Sequence, residues 1–188
     1  MRHGETDWNR ERRFQGQADV PLNREGRRQA RELADRLAGE TYAAAYSSPL
    51  RRAIETAQIL ASRLHFEIES RDALKEVDVG SWSGLTTTEL ESRYPQGFRR
   101  WADDWSGGWT DGETYDELGR RVVADLFTIA RRHPGERVLA VTHGGAIRAV
   151  LAAIAGLSFE SGRTAIAFVE NCAVVELAVR GGKLERVD

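Results

Sequence analysis

Val138-Leu139-Ala140-Val141 is a short apolar run that leads through Thr142-His143 into Gly144-Gly145, after which a helical stretch continues to about Gly156. A strand over residues 137–142, then a glycine turn and a helix, constrains the chain strongly. It puts His143 at the carboxyl end of a strand, where open α/β sheets hold their ligands. The glycines carry no side chain, so the backbone here can approach a bound group closely. A second histidine, in Arg2-His3-Gly4-Glu5-Thr6, has a similar glycine-containing setting at the other end of the sequence.

Elsewhere helices alternate with short β-rich runs, the pattern of a layered α/β domain. Asn23 suits an N-cap for a helix with Ala30, Leu33, Ala34, Leu37 and Ala38 on one face. Tyr42 to Tyr46 reads as a buried strand. Ser48-Pro49 reads as the cap and first turn of a helix running to about Leu64, with Ile54, Ala57, Ala61 and Leu64 inward. Thr86 and Glu89 fit a capping box, and Leu118, Val122, Leu126 and Ile129 mark a later amphipathic helix. Ala165 to Val169 and Ala173 to Val179 look like further sheet, turned by Gly181-Gly182. His65 and His133, at helix ends without a motif, are read as structural.

With 188 residues, 41% of them apolar, and no Pro/Gly/Ser-rich linker, residues 1–188 are expected to form one domain. The lone Cys172 excludes an internal disulfide and suits a reducing compartment. No long apolar run or leader is visible, so a cytoplasmic chain without a membrane partner is expected. The net charge of −2 argues against a nucleic-acid surface, yet the charge is unevenly spread. Residues 64–119 carry 13 acids and 5 bases, together with four of the five tryptophans.

Further motifs accompany the two histidines: Asn9, Gln15-Gly16, Ser47-Ser48-Pro49-Leu50-Arg51-Arg52-Ala53, Leu74-Lys75-Glu76 and Gly80-Ser81-Trp82-Ser83-Gly84. In register from Arg2 to about Ala153, they resemble the histidine phosphatase superfamily, also called the phosphoglycerate-mutase-like family. Val77-Asp78-Val79-Gly80-Ser81-Trp82 looks more like its phosphatase branch. The resemblance implies an α/β fold, a three-layer α/β/α sandwich with a mixed, mostly parallel sheet. Similar members begin with an apolar strand that ends in Arg-His-Gly. Here Met1 alone precedes the motif, so the first strand is either absent or truncated by a start assigned after it, and the second is the expectation. Trp82, Tyr94, Phe98, Trp101, Trp105, Trp109 and Tyr115 fall in a segment, about 82–115, that often builds a flap over the pocket in this family.

The implied activity is hydrolysis of phosphomonoesters with broad specificity through a phosphohistidine. His3 would be the nucleophile, and Arg2, Arg52 and His143 would clamp the phosphoryl oxygens, their cationic character keeping His3 neutral. Glu76 matches the proton donor. Asn9, Gln15, Gly16 and Gly144 would add hydrogen bonds, and Glu113-Thr114 resembles a motif at the site's edge. Arg51 differs from Arg52 only in motif register. A cofactor-dependent phosphoglycerate mutase and a weakly active phosphoprotein-binding module are the alternatives, although all five principal positions are filled. No ligand spacing for a metal is present, and no cofactor is implied. The expected partner is a small phosphorylated metabolite, with the chain a monomer or homodimer. The acidic middle segment further suggests uncharged, apolar or aromatic leaving groups in preference to bisphosphates.

Overall fold

The computed structural model describes residues 1–104, 108–158 and 166–187. Its elements in chain order are α1 (Asp7–Arg10), α2 (Arg24–Arg36), β1 (Ala44–Ser47), α3 (Arg51–Leu64), β2 (Ile68–Ser70), α4 (Thr87–Arg93), α5 (Pro95–Asp104), α6 (Tyr115–Arg132), β3 (Val138–Val141), α7 (Gly144–Ile154), β4 (Glu176–Arg180) and β5 (Lys183–Val187). The main sheet has the order β2-β1-β3 and is parallel throughout, with Ala45 opposite both Ile68 and Leu139. The antiparallel pairing lies in a separate β4-β5 hairpin turned at Gly181-Gly182, both at positive φ.

Alternation along the strands separates two helical layers, because successive strand side chains point to opposite faces. Ala45, Leu139 and Val141 pack with Ala30, Leu33 and Ala34 of α2 and Ala53, Ala57 and Leu60 of α3. Tyr46 packs with Leu118, Val122 and Ile129 of α6 and with Ala146, Ala149 and Val150 of α7 on the other side. This is the three-layer α/β/α arrangement. Asn23 caps α2, its side chain accepting from Gly26 N at 2.8 Å, and Thr86 forms its capping box with Glu89.

The amino terminus joins this sheet. Val141 O accepts from Ser48 N on the β1 edge, whereas Ala140 O and Thr142 O face the opposite edge and accept from Met1 N and His3 N. Thr142 N in turn donates to Met1 O, and Arg2 forms a parallel bridge to Thr142. Arg2 N also donates to Ala173 O, so Met1 to His3 lies in a row between β3 and the 172–173 segment. The backbone ahead of His3 thus joins the sheet through a single bridge, and His3 beside it is buried.

Three local expectations need correction. Helix α3 starts at Arg51 with Leu50 at the N-cap and no side-chain cap, so Ser48 is not the cap. Its buried face is Arg52, Ala53, Thr56, Ala57 and Leu60 rather than a stripe through Ile54 and Ala61. The stripe is turned because Arg52 and Thr56 face inward, where Thr56 Oγ1 donates to Arg52 O and accepts from Gly4 N. Residues 166–169 form no strand, since that backbone serves Arg2 instead (below). Ala165 and Trp105 lie outside the described residues. His65 caps α3 at φ 59°, and His133 caps α6 while its Nε2 meets the Tyr46 hydroxyl at 2.8 Å.

Gly26, in the first turn of α2, lets that helix press against the backbone just after His3. A Cβ there would overlap Glu5 O and lie 2.6 Å from Glu5 N. Gly26→Ala should therefore destabilise the fold by about 1–3 kcal/mol, because backbone cannot rotate away and the clash outweighs the helix propensity gained. Urea denaturation checks this, and an unchanged or higher midpoint would contradict it.

Candidate active site

A hollow of about 210 Å³ opens at the carboxyl ends of the strands, lined by residues that include Arg2, His3, Asn9, Gln15, Gly16, Arg52, Glu76 and Gly144. His3 is almost fully buried, and its Nδ1 lies 2.7 Å from Gly4 O. A carbonyl can only accept, so Nδ1 carries the hydrogen and the Nε2 lone pair is left with no partner among the described residues. Burial first, then the charges of Arg52 and Arg2, push the His3 pKa well below the ordinary imidazole value of 6.5. The ring is therefore held neutral and oriented by its own backbone.

The guanidinium groups are held by carbonyls. Arg52 donates to Gly16 O and Ala18 O, both at 2.7 Å, and Arg2 donates to Val169 O at 2.6 Å. Among the described residues neither has a carboxylate ion-pair partner. Gly16 takes φ +47°, with a would-be Cβ 2.6 Å from Val79 Cγ2, so only glycine can turn its carbonyl onto Arg52 at this point. Burial lowers the pKa of both groups, that of Arg52 to about 10, which leaves them charged at neutral pH.

His143 is fully buried beside His3, with ring centroids 5.1 Å apart and planes inclined at 58°. Its pKa also lies well below 6.5, through burial first and then chiefly the charge of Arg52, with Arg2 and Arg121 adding to it. His143 was expected among the cationic clamp residues, and its lowered pKa makes it a neutral ring at neutral pH. The arginines supply the charge, and His143 enters as a neutral ring.

Glu76 is anchored from two sides, Oε2 accepting from Gly145 N at 2.9 Å and Oε1 from Val77 N at 3.0 Å. Gly145 must lack a side chain, because a Cβ would fall on that carboxylate. Gly144 begins α7, so the carboxylate and any bound anion share the positive end of an 11-residue helix. Asn9 uses its Oδ1 in the capping box with Thr6, which leaves its amide Nδ2 to donate into the hollow. Among the described residues, the buried polar atoms Arg2 Nε, Arg52 Nε, His143 Nδ1 and Gln15 Oε1 in and beside the hollow have no protein hydrogen-bond partner. Each orphan costs about 1–3 kcal/mol, a cost that a bound group able to use them would offset. Three are on basic side chains, so the favoured guest is an anion.

Glu113 and Thr114 do not line the hollow. Glu113 is paired with Arg121 through both carboxylate oxygens, at 2.6 and 2.7 Å, and Thr114 caps α6 in a box with Glu117. Arg121 also donates to Ala73 O, Lys75 O and Glu76 O, so this pair braces the chain that presents Glu76. Sequence reasoning missed Arg121, because a helix arginine in an ordinary charge pattern has no motif to mark it. It also missed Arg13, Phe14, Arg148 and Phe168, which line the hollow from four separate segments. The charge argument from the acidic middle segment loses its footing here. Among the described lining side chains, Glu76 alone is acidic, whereas Arg2, Arg13, Arg52 and Arg148 are basic. Trp101 and Tyr115 contribute apolar wall, while Trp82 and Trp109 are core.

A parallel sheet carries at its carboxyl end a buried imidazole pair and two guanidiniums that, among the described residues, are bound to carbonyls and not to carboxylates, a setting that favours an anion. The profile of the histidine phosphatase superfamily (branch 1) matches residues 1–187, and the chain belongs to that family. It is 38% identical to the uncharacterized phosphatase PhoE of Bacillus subtilis over 83% of this chain and 76% of that protein. It is 40% identical to a metal-independent phosphoserine phosphatase of Arabidopsis thaliana over 80% of this chain and 65% of that protein. The solved structure of Bacillus stearothermophilus YhfR superposes with a TM-score of 0.91 at 32% identity, covering 98% of this chain and 92% of that one. No described helix is long and apolar enough to cross a membrane.

Nuclear magnetic resonance titration checks the electrostatics. His3 and His143 should stay neutral as the pH falls through 6.5, and Arg52→Gln should move the His3 titration upward by removing a like charge. Because both folded pKa values lie below the unfolded one, their contribution to stability is present above pH 6.5 and is lost as the pH drops toward the folded values. Protonation of His3 near pH 6.5 in the intact protein would refute the assignment.

Proposed function

We propose that this chain is a metal-independent phosphomonoester hydrolase of broad specificity that works through a phosphohistidine, built as one domain whose segment 82–115 supplies part of the pocket wall. The observation that carries this reading is His3, with Nδ1–H tied to Gly4 O and its Nε2 lone pair left facing a hollow flanked by Arg2 and Arg52. The Nε2 lone pair attacks phosphorus, the ester P–O bond breaks, and the departing oxygen takes the proton of the Glu76 carboxyl. The phosphorylated ring is an imidazolium at that stage, and Gly4 O continues to accept its Nδ1–H. Water then attacks the phosphohistidine and gives a proton to the Glu76 carboxylate. The N–P bond breaks, releasing phosphate and neutral His3.

Arg2 and Arg52 neutralise charge on the three equatorial oxygens, the principal demand of phosphoryl transfer. The Asn9 amide and the N-terminus of α7 supply further donors. Beyond the phosphoryl group, Phe14, Trp101, Tyr115 and Phe168 offer apolar area to a leaving group, and Arg148 in the same wall allows an acidic one. The Arabidopsis relative's substrate, phosphoserine, falls within that range, and its description as metal-independent agrees with guanidiniums doing the charge neutralisation.

His3→Ala should abolish both turnover and the phosphoenzyme trapped by acid quench. Glu76→Gln should slow alkyl phosphates by about 10²–10⁴-fold while aryl phosphates, whose leaving groups need little protonation, change far less. Equal losses for the two classes would remove Glu76 from the acid role. A phosphoenzyme that survives in His3→Ala would remove the nucleophile.

A further inference from the structure

Ser48 stands in the phosphate-site motif but does not cap α3, which leaves its buried side chain to be explained. Its Oγ lies 2.8 Å from His143 Nε2 and accepts from Leu50 N at 3.3 Å, and both Ser48 and His143 are fully buried. These are the hydroxyl's hydrogen bonds among the described residues, so its single proton and its lone pairs can be accounted for.

A hydroxyl donates once and accepts up to twice. If Ser48 donates to Nε2, its lone pair serves Leu50 N–H, its proton serves the ring, and His143 carries its own hydrogen on Nδ1. If the ring instead donates from Nε2, the serine proton is left without an acceptor in the interior, and Nδ1 keeps a bare lone pair. The second arrangement strands a buried donor, at a cost of about 1–3 kcal/mol. It also turns a lone pair toward the anion that Arg2 and Arg52 attract. The two faults compound.

Resting on the phosphoryl-site reading above, we propose that Ser48 is a positioning residue that holds His143 in the Nδ1–H tautomer, making the otherwise unpartnered Nδ1 a neutral donor to a phosphoryl oxygen. His143 then adds a directional hydrogen bond without adding a third positive charge. Such a charge would further disfavour a cationic phosphoimidazolium at His3, whose ring centroid is 5.1 Å away. Neutrality at His143 is kept by its burial and by the same arginines that suppress protonation of His3. Ser47 stabilises the arrangement from behind, its hydroxyl donating to Ser48 O at 2.9 Å.

The test is long-range ¹H–¹⁵N correlation on full-length protein labelled with ¹⁵N-histidine, with and without inorganic phosphate. The wild type should show His143 protonated at Nδ1 and unprotonated at Nε2, with the Nδ1 proton moving downfield when phosphate is added. Ser48→Ala should populate the other tautomer and lower kcat by up to roughly 10²–10³-fold, the scale for losing one oriented oxyanion donor, with a smaller change in KM. Ser48→Thr, which keeps the hydroxyl, should restore both tautomer and rate. A wild-type His143 protonated at Nε2 would overturn the proposal, and that spectrum needs no variant to fold. So would a folded Ser48→Ala protein with unchanged tautomer and rate. The tautomer is read without turnover: a protein with the Nδ1–H ring that hydrolyses no ester fails as an enzyme only, and one that hydrolyses esters with an Nε2–H ring fails the Ser48 assignment only.

Discussion

Positive charge kept inside the protein with no ion-paired carboxylate among the described residues is the constraint on which the rest of this structure depends. Arg52 and Arg2 are buried, yet their partners are the carbonyls of Gly16, Ala18 and Val169. Carbonyl dipoles orient a guanidinium and offset part of its desolvation, but they leave its net charge available. A paired aspartate would have cancelled that charge and with it the attraction for an anion. Burial first, and then the same field, keep the neighbouring imidazoles neutral, so in the proposed mechanism attraction for the ligand and reactivity of His3 share a source.

That arrangement places severe demands on the backbone. Carbonyls at 16 and 18, helix α3 carrying Arg52, the 169–173 segment and the row from Met1 to His3 must converge within a few ångströms. The sheet provides the convergence, because β1 and β3 end side by side and release Ser48 and His143 at the same level. Close approach is secured at a few glycines: Gly16 turns its carbonyl inward at positive φ, and Gly145 lets Glu76 reach the N-terminus of α7. Behind Glu76, the Arg121–Glu113 pair fixes the carbonyls of 73, 75 and 76. The chemistry is thus supported by residues that never meet the ligand.

Much of this was legible in the chain. The strand, glycine turn and helix around His143 could be read because alternation, turn and helical periodicity each leave a local signature. Asn23, Thr86 and the α6 stripe were legible for the same reason. Harder to read were side chains whose partners are distant in sequence. Ser48 before Pro49 looks like a helix cap, and nothing nearby reveals that its partner is 95 residues away. The inward face of α3 was misjudged because hydrophobicity alone cannot show that an arginine and a threonine belong inside. Charge summed over residues 64–119 misled as well, since it does not say which carboxylates face the hollow.

By itself the sequence determined the layered α/β class, the caps at Asn23 and Thr86, and the principal candidate residues His3, His143, Arg2, Arg52 and Glu76, since these depend on local periodicity and short motifs. Tertiary structure alone decided how those residues act. It set which histidine nitrogen is open, brought both imidazoles to neutrality, turned Glu113 toward Arg121 and Ser48 toward His143, and selected which arginines line the hollow. Each of those outcomes depends on burial, field and hydrogen-bond pairing among groups remote along the chain, quantities that exist only once the layers have packed.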